Sequence, residues 1–178
     1  MTEDISEIKY DIIKLTKDHD LSYFHCGLDD MDDFLKDDAL KQQEDNLNTT
    51  YLLIYKNKII GFFSLLADRI SIKDIPEDYN CKYEYFPAIK IGRLAIDQNY
   101  QNNGLGTRIL DNICSEIKDL SLKIGVKFIT IDAYCKVKEF YYKNAFQHIK
   151  IERPDKLKRT AKRNNKTTIT LYKDLKRI

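Results

Sequence analysis

Apolar and polar positions alternate along this chain in two rhythms. Short β-type runs, rich in Ile, Leu, Phe and Tyr, occupy Tyr10 to Leu15, Thr50 to Tyr55, Ile59 to Leu66, Ile89 to Ile96 and Val126 to Ala133. Helical spacing governs two other stretches. In 28–43, Leu28, Met31, Phe34 and Leu35 recur beside acidic faces, with Asp29 and Asp30 suited to a first turn where carboxylates meet exposed N–H groups. From Gly104 onward, Leu105, Ile109, Ile113, Ile117, Leu120 and Ile124 predict a helix of about five turns, closed by Gly125. Lys56-Asn57-Lys58 between two strands reads as a hairpin turn, and Lys138 to Asn144 as a short helix. Residues 146–152 and 167–173 read as a closing hairpin, and Asp68 to Ala88, with Pro76 and Pro87, as irregular chain. The central strand–helix–strand unit implies a parallel pair, so the pattern predicts one α/β domain over residues 1–178 with no linker or repeat.

Composition narrows the class. A length of 178 residues with 43% hydrophobic and 33% charged content suits one globule with a substantial core. No apolar run approaches a bilayer span, so no membrane association is expected. The start, MTEDISEIKYD, is acidic where a signal peptide would be basic. Cys26, Cys81, Cys114 and Cys135 form no Cys-x-x-Cys pair, and His19, His25 and His148 have no ligand spacing. The expectation is a cytoplasmic protein with no disulfide and no metal.

Charge is uneven. Residues 1–50 carry 14 acidic and 5 basic groups, a net of −9, whereas 146–178 carry 11 basic and 3 acidic groups, a net of +8. The basic end, with Lys156, Lys158, Arg159, Lys162, Arg163, Lys166, Lys173, Lys176 and Arg177, suits either a solvated hairpin or a track for a phosphate backbone.

The chemistry concentrates after Ile96. A strand feeds Gln101-Asn102-Asn103-Gly104-Leu105-Gly106-Thr107, and a helix follows at once. Such a turn presents a concave row of N–H groups at the positive end of a helix dipole, a cradle for a pyrophosphate. Gly104 and Gly106 remove Cβ atoms that would hold an anion away. Two rival phosphate motifs fail here. A Walker A loop needs Gly-Lys-Ser/Thr, and Gly106-Thr107 lacks the Lys; a dinucleotide fingerprint needs three glycines near the first strand.

The turn resembles the R/Q-x-x-G-x-G/A element with which the GCN5-related N-acetyltransferases (GNATs) hold acetyl-coenzyme A. Lys138-Glu139-Phe140-Tyr141-Tyr142-Lys143-Asn144-Ala145-Phe146 is similar to their F-Y-x-x-x-G-F element, and residues 25–35 with IGRLAID resemble the acetyltransferase toxins of toxin–antitoxin systems. The resemblance takes in most of residues 20–146. It implies a mixed central sheet of six to seven strands with helices on both faces. It implies Tyr141 as the acid that protonates departing sulfur, a role that suits a phenol still protonated at pH 7. It also implies that Leu94, Ala95 and Ile96 pair with the pantetheine arm, and that acetyl-CoA is the cosubstrate. The toxins acetylate the α-amine of aminoacyl-tRNA, so tRNA through basic residues 156–177, an antitoxin and a second copy of the chain become expected partners. Met31 in place of Leu, Cys135 in place of Asn and Ala145 in place of Gly depart from the pattern, and the acidic early segment is unhelpful for holding RNA.

The acceptor follows partly from proton cost. Deprotonating a lysine at pH 7 costs roughly 4.6 kcal/mol and an α-amine near pKa 8 roughly 1.4 kcal/mol. Glu84 and Asp97, the only acids near the cradle strand, sit at its edges. A site without a strong base favours α-amines: aminoacyl esters, amino acids or peptide termini. A small-molecule or peptide acetyltransferase and a non-catalytic acyl-CoA-binding protein remain open. Arg93, in mid-strand, is expected to face the active-site side or to pair with an acid, because a buried unpaired cation is costly.

Overall fold

The computed structural model describes residues 8–77, 79, 81–151 and 153–177. The acidic opening of the sequence lies largely outside them. In chain order the elements are β1 (Asp11–Lys14), α1 (Asp29–Asp33), α2 (Ala39–Glu44), β2 (Thr49–Tyr55), β3 (Lys58–Ser71), β4 (Tyr85–Ile96), α3 (Leu105–Ser121), β5 (Phe128–Tyr134), α4 (Lys138–Lys143), β6 (Gln147–His148), α5 (Pro154–Arg163) and β7 (Thr168–Asp174). The strands form one mixed seven-stranded sheet in the order β1-β2-β3-β4-β5-β7-β6. β1 with β2, β2 with β3, β5 with β7 and β6 with β7 run antiparallel. β4 and β5 are neighbours joined through α3, the strand–helix–strand unit expected from the pattern.

Chain packing separates two compact units, Met1–Leu66 with Ile91–Ile109, and Ala67–Lys90 with Leu110–Ile178. The first is built on Leu15, Phe24, Met31, Phe34, Leu35, Leu52, Phe62 and Ala95. Phe24 meets Phe62 edge-on, and Phe34 stacks on Phe62 with centroids 6.0 Å apart. Met31 fills a buried position there, which explains why an unbranched side chain replaces Leu without loss of core. The second unit centres on Ile70, Ile75, Ala88, Phe128 and Tyr172.

The β2–β3 turn is tighter than the sequence suggests. Lys58 pairs with Tyr55, leaving Lys56 and Asn57 alone in the loop, both at positive φ (47° and 61°). That geometry matches the right-handed twist of the flanking strands. The helix expected over 28–43 is present as α1 and α2, joined by a wider, π-type turn at Phe34–Asp38.

Four expectations need correction. β3 runs on to Ser71 and β4 starts at Tyr85, so Asp68 to Ala88 is irregular only in its middle. The apolar signal fails at these strand ends because polar pairs replace it. Lys90 Nζ sits 2.9 Å from Asp132 and 3.6 Å from Asp68, the Thr130 hydroxyl donates to Asp68 at 2.5 Å, and the Arg69 guanidinium lies 4.1 Å over the Tyr85 ring. Helix α3 stops at Ser121; Leu122 and Ile124 are exposed, and Gly125 is not its cap. Strand β6 is only two residues long. Lastly, the closing hairpin carries a ten-residue helix, α5, where the sequence reads as loop. Pro154 in the first turn suits a helix start and Leu157 and Ala161 fall at helical spacing, but two apolar positions among so many cations read as loop.

Candidate functional site

Asp97 closes β4 and opens the turn. Its buried carboxylate accepts the Asn99 N–H at 3.0 Å and the Asn99 amide at 2.9 Å, capping a single 3₁₀ turn at Gln98–Tyr100. Beyond it, Asn102 and Gly104 adopt left-handed φ values of 63° and 74°. A Cβ at Gly104 would meet nothing within 4 Å, so glycine serves that position by conformation and leaves open space beside it. Asn103 Nδ2 donates to the Gln101 carbonyl at 2.7 Å, tightening the bend. Helix α3 begins at Leu105 with no acidic residue in its first turn, and its first main-chain bond is Arg108 N–H to Gly104 C=O. The N–H groups of Leu105, Gly106 and Thr107 therefore have no acceptor among the described residues. They form a donor row at the positive end of a 17-residue helix, the arrangement that binds phosphate.

Two side chains of the turn bond back to main-chain carbonyls. Gln101 Nε2 donates to the Ile96 carbonyl and to the Cys26 carbonyl, each at 2.8 Å. Gln101 thus shapes the turn, and the main-chain N–H groups are among the donors left for an anion. The strand before it divides the same way. Asp97 N–H donates to Ile60 C=O on β3 at 2.9 Å. Main-chain groups alternate sides along a strand, so Ala95 also faces β3, while Leu94 and Ile96 turn to the other edge. Ala95 C=O lies only 2.9 Å from where a Cβ on Gly61 would sit. Of the three residues assigned to a pantetheine arm, Leu94 and Ile96 have the suitable direction.

Tyr141 lies on α4, only 6% exposed, edge-on to Phe140 and Phe146 with centroids 4.9 and 5.8 Å away. Its hydroxyl has no hydrogen-bond partner among the described residues. Burial raises the phenol above its ordinary value, so it keeps its proton across the working range. Tyr142 is half-buried, and its hydroxyl approaches His148 Nδ1 at 3.5 Å. Ala145 explains a departure noted in the sequence. It stands at φ 63°, immediately after the α4 cap, with Ala145 N–H bonded to Tyr142 C=O and Phe146 N–H to Tyr141 C=O. This is the left-handed cap position where glycine is usual, and alanine occupies it at a cost of about 1–2 kcal/mol.

Two further expectations resolve. Arg93 is exposed and finds no acid among the described residues: its guanidinium lies 4.9 Å over the Phe34 ring and donates to Gly92 C=O at 2.9 Å. Asp97 is committed to the Asn99 cap and to the His25 N–H (3.3 Å), which leaves it poorly placed to act as a base. Of the basic residues at the chain end, Lys156, Arg159 and Arg163 line a recess of about 600 Å³ with Arg153, Thr160 and Asn164. Lys173 instead turns inward over Phe146, 5.6 Å from its centroid, and the Arg177 side chain lies outside the described residues. Among the described residues no group of three or more His, Cys, Asp or Glu could hold a metal ion, and no helix is long and apolar enough to cross a membrane.

Sequence reasoning missed Asp32. It sits among acidic positions that read as a solvated face, yet it is 4% exposed, accepting the Cys26 N–H at 2.9 Å and bonding His25 Nδ1. Burial alone would raise its pKa; the Cys26 N–H and thiol and then His25 outweigh that and hold it below its ordinary value. The same burial, with Asp32 beside it, pushes the Cys26 thiol up to about 12. Asp32 lies in the toxin-like opening, and its burial sets it apart from the more exposed acids around it.

Comparison with known proteins accords with this geometry. Residues 19–156 match the family described as Acetyltransferase (GNAT) domain. A probable toxin TacT from Sinorhizobium fredii is 29% identical over 120 residues, covering 64% of this chain and 66% of the relative, just under two thirds of its length. A tRNA-acetylating toxin from Mycobacterium tuberculosis is 24% identical over 124 residues, covering 68% and 75%. Among solved structures, a tyrosine mutant of KacT superposes with a TM-score of 0.80 at 20% identity, covering 94% of this chain and 96% of that one. AtaT complexed with acetyl-methionyl-tRNA gives 0.80 at 22% identity, covering 95% and 96%. With the family matched over most of its length, the chain belongs to the GNAT acetyltransferases.

Proposed function

We propose that residues 1–178 act as one N-acetyltransferase domain that moves the acetyl group of acetyl-CoA to the α-amine of an aminoacyl-tRNA, as a cytoplasmic toxin held in check by an antitoxin. The observation that carries this reading is the row of unpaired N–H groups at Leu105, Gly106 and Thr107. These would take the pyrophosphate, with Gln101, Asn102, Asn103 and Gly104 shaping the bend and Leu94 and Ile96 offering main-chain groups to the pantetheine. The amine nitrogen attacks the thioester carbon; a C–N bond forms and the C–S bond breaks. Tyr141 donates its proton to the leaving sulfur, the nitrogen proton passes to solvent, and the phenolate takes a proton back from solvent to close the cycle. A buried phenol is a weaker acid than a free one, but the same dry surroundings penalise the thiolate as well, so the transfer stays matched. The structure adds Asp68 and Asp132 to the acids beside β4, but Lys90 pairs with both and Asp97 is held by Asn99. With these acids engaged, a low-pKa α-amine is supported over lysine.

The relatives' names supply the acceptor class, since one is a tRNA-acetylating toxin and AtaT is known with acetyl-methionyl-tRNA. AtaT is also known with the antitoxin AtaR, which supports a protein inhibitor here, and a homodimer is proposed on the toxin resemblance alone. The cationic face of α5 is the part of the basic end that suits an RNA backbone, because its cations line one recess.

The test is transfer of labelled acetyl from acetyl-CoA to charged tRNA, compared with free amino acids and peptides. Acetylated aminoacyl ester is the expected product; label on amino acids or peptides alone would give a small-amine enzyme instead. Binding of acetyl-CoA with no transfer would leave an acyl-CoA-binding protein. Binding of tRNA should weaken steeply between low and moderate salt, and affinity indifferent to salt would remove α5 from the interface.

A further inference from the structure

The dipeptide His25-Cys26 is gripped from two sides. On one side, Asp32 of α1 accepts the Cys26 N–H at 2.9 Å and bonds the His25 ring. On the other, the Cys26 carbonyl accepts Gln101 Nε2 at 2.8 Å, the His25 carbonyl accepts the Gln98 N–H at 2.9 Å, and the His25 N–H donates to Asp97 at 3.3 Å. The chain of contacts runs unbroken from a buried carboxylate on α1, through two residues of extended loop, to the residue that opens the phosphate turn. We propose that Asp32 is a positioning residue for the cofactor turn, acting through the Cys26 main chain and the Gln101 amide. The inference rests on the reading of that turn as the acetyl-CoA site.

The physical reason is the turn's own fragility. Between the 3₁₀ turn at Gln98–Tyr100 and the start of α3 it contains two left-handed residues, Asn102 and Gly104, and little of it is buried. Left alone, such a segment samples many shapes, and its N–H groups would converge only when an anion paid the ordering cost. Gln101 removes that freedom by spending one nitrogen on two carbonyls, one belonging to β4 and one to the 25–26 loop. The second carbonyl stays in place because Asp32 holds the N–H of the same residue. A buried carboxylate accepting a main-chain N–H is the stronger kind of hydrogen bond, and a stiff one. Losing it lets Cys26 drift, gives Gln101 one acceptor fewer, and loosens the donor row without touching the chemistry at Tyr141.

The test is isothermal titration of CoA together with steady-state kinetics on the intact chain. Asp32→Ala should raise the CoA Kd and the acetyl-CoA KM by about tenfold while kcat changes little. Asp32→Asn, whose amide oxygen still accepts the Cys26 N–H, should restore most of the loss. Gln101→Met should weaken CoA to a similar degree, and the double variant Asp32→Ala/Gln101→Met should be no weaker than the worse single one, because both cut the same relay. A folded Asp32→Ala protein with unchanged CoA affinity overturns the proposal, as do single-variant effects that multiply. Should Asp32→Ala fail to fold, unchanged affinity in Gln101→Met overturns it equally. If the wild-type chain itself gives no heat with CoA, the acetyltransferase reading fails instead.

Discussion

The turn at 101–107 and the helix α4 use their residues in opposite ways. In the turn the side chains are spent on shape: Gln101 and Asn103 bond to carbonyls, and the groups left over are main-chain N–H. On α4 the main chain is satisfied by its cap, and the group left over is the hydroxyl of a mostly buried tyrosine. Anion binding needs several weak donors held in one shape, which a backbone supplies; proton transfer needs one group of suitable acidity, which only a side chain supplies. The two regions should therefore fail differently when altered.

The largest effect belongs to α4. Tyr141→Phe removes one oxygen from a packed ring and should lower kcat by about 10²–10⁴. Acetyl-CoA affinity, measured by titration, should hold within about twofold; a variant that keeps its turnover would end the assignment. The turn should give the mirror image. Gly104→Val places a branched side chain at φ 74° and should weaken CoA binding by about ten- to a hundredfold, with a smaller change in kcat at saturating acetyl-CoA. If valine there left Kd unchanged, the anion would have to sit elsewhere.

A third substitution probes strain without chemistry. Ala145→Gly relieves the left-handed cap after α4 and should stabilise the fold by up to about 1 kcal/mol, a rise of about 2–4 °C in Tm, with kcat unaltered. A fall in Tm would mean that the freer unfolded chain outweighs the relief. The smallest effect concerns pH. Asp32 and Asp174 each anchor one unit, and both are held below the ordinary carboxylate range. Burial would raise Asp174, but the bond from Lys127, with the Lys176 N–H and Tyr79, outweighs it. Because the folded values are lowered, their stabilisation is present at neutral pH and lost as pH falls below about 4. Denaturation midpoints at pH 7 and pH 3 measure it, and Asp174→Asn should flatten the acid side of the curve.

Much of the fold was legible because the burial that drives it is periodic. α3 shows its stripe through Leu105, Ile109, Ile113 and Ile117, all buried to 1% exposure or less. The strands that pair as β2 and β3 show apolar runs with a polar turn between. Legibility stopped where polar side chains do the pairing: Asp68 reads as irregular chain, yet it supports the sheet through Lys90 and Thr130. It stopped again at α5, where the helical spacing rests on Leu157 and Ala161 alone in a mostly charged stretch. The candidate site divides along the same line, with Gly104, Gly106 and Tyr141 found by their motifs and Asp32 hidden among charges.

By itself the order of residues determined the strand–turn–helix that presents N–H groups after β4 and the aromatic helix after β5, since glycine, helix start and apolar period are local properties of neighbouring positions. Only the tertiary structure decided which polar groups remain available. It committed Gln101 to two carbonyls, turned Ala95 toward β3, buried Asp32 behind Cys26 and gave the Tyr141 hydroxyl no partner among the described residues. Hydrogen bonds between residues 25–32 and 97–101 join segments some seventy positions apart, and no local pattern carries that pairing.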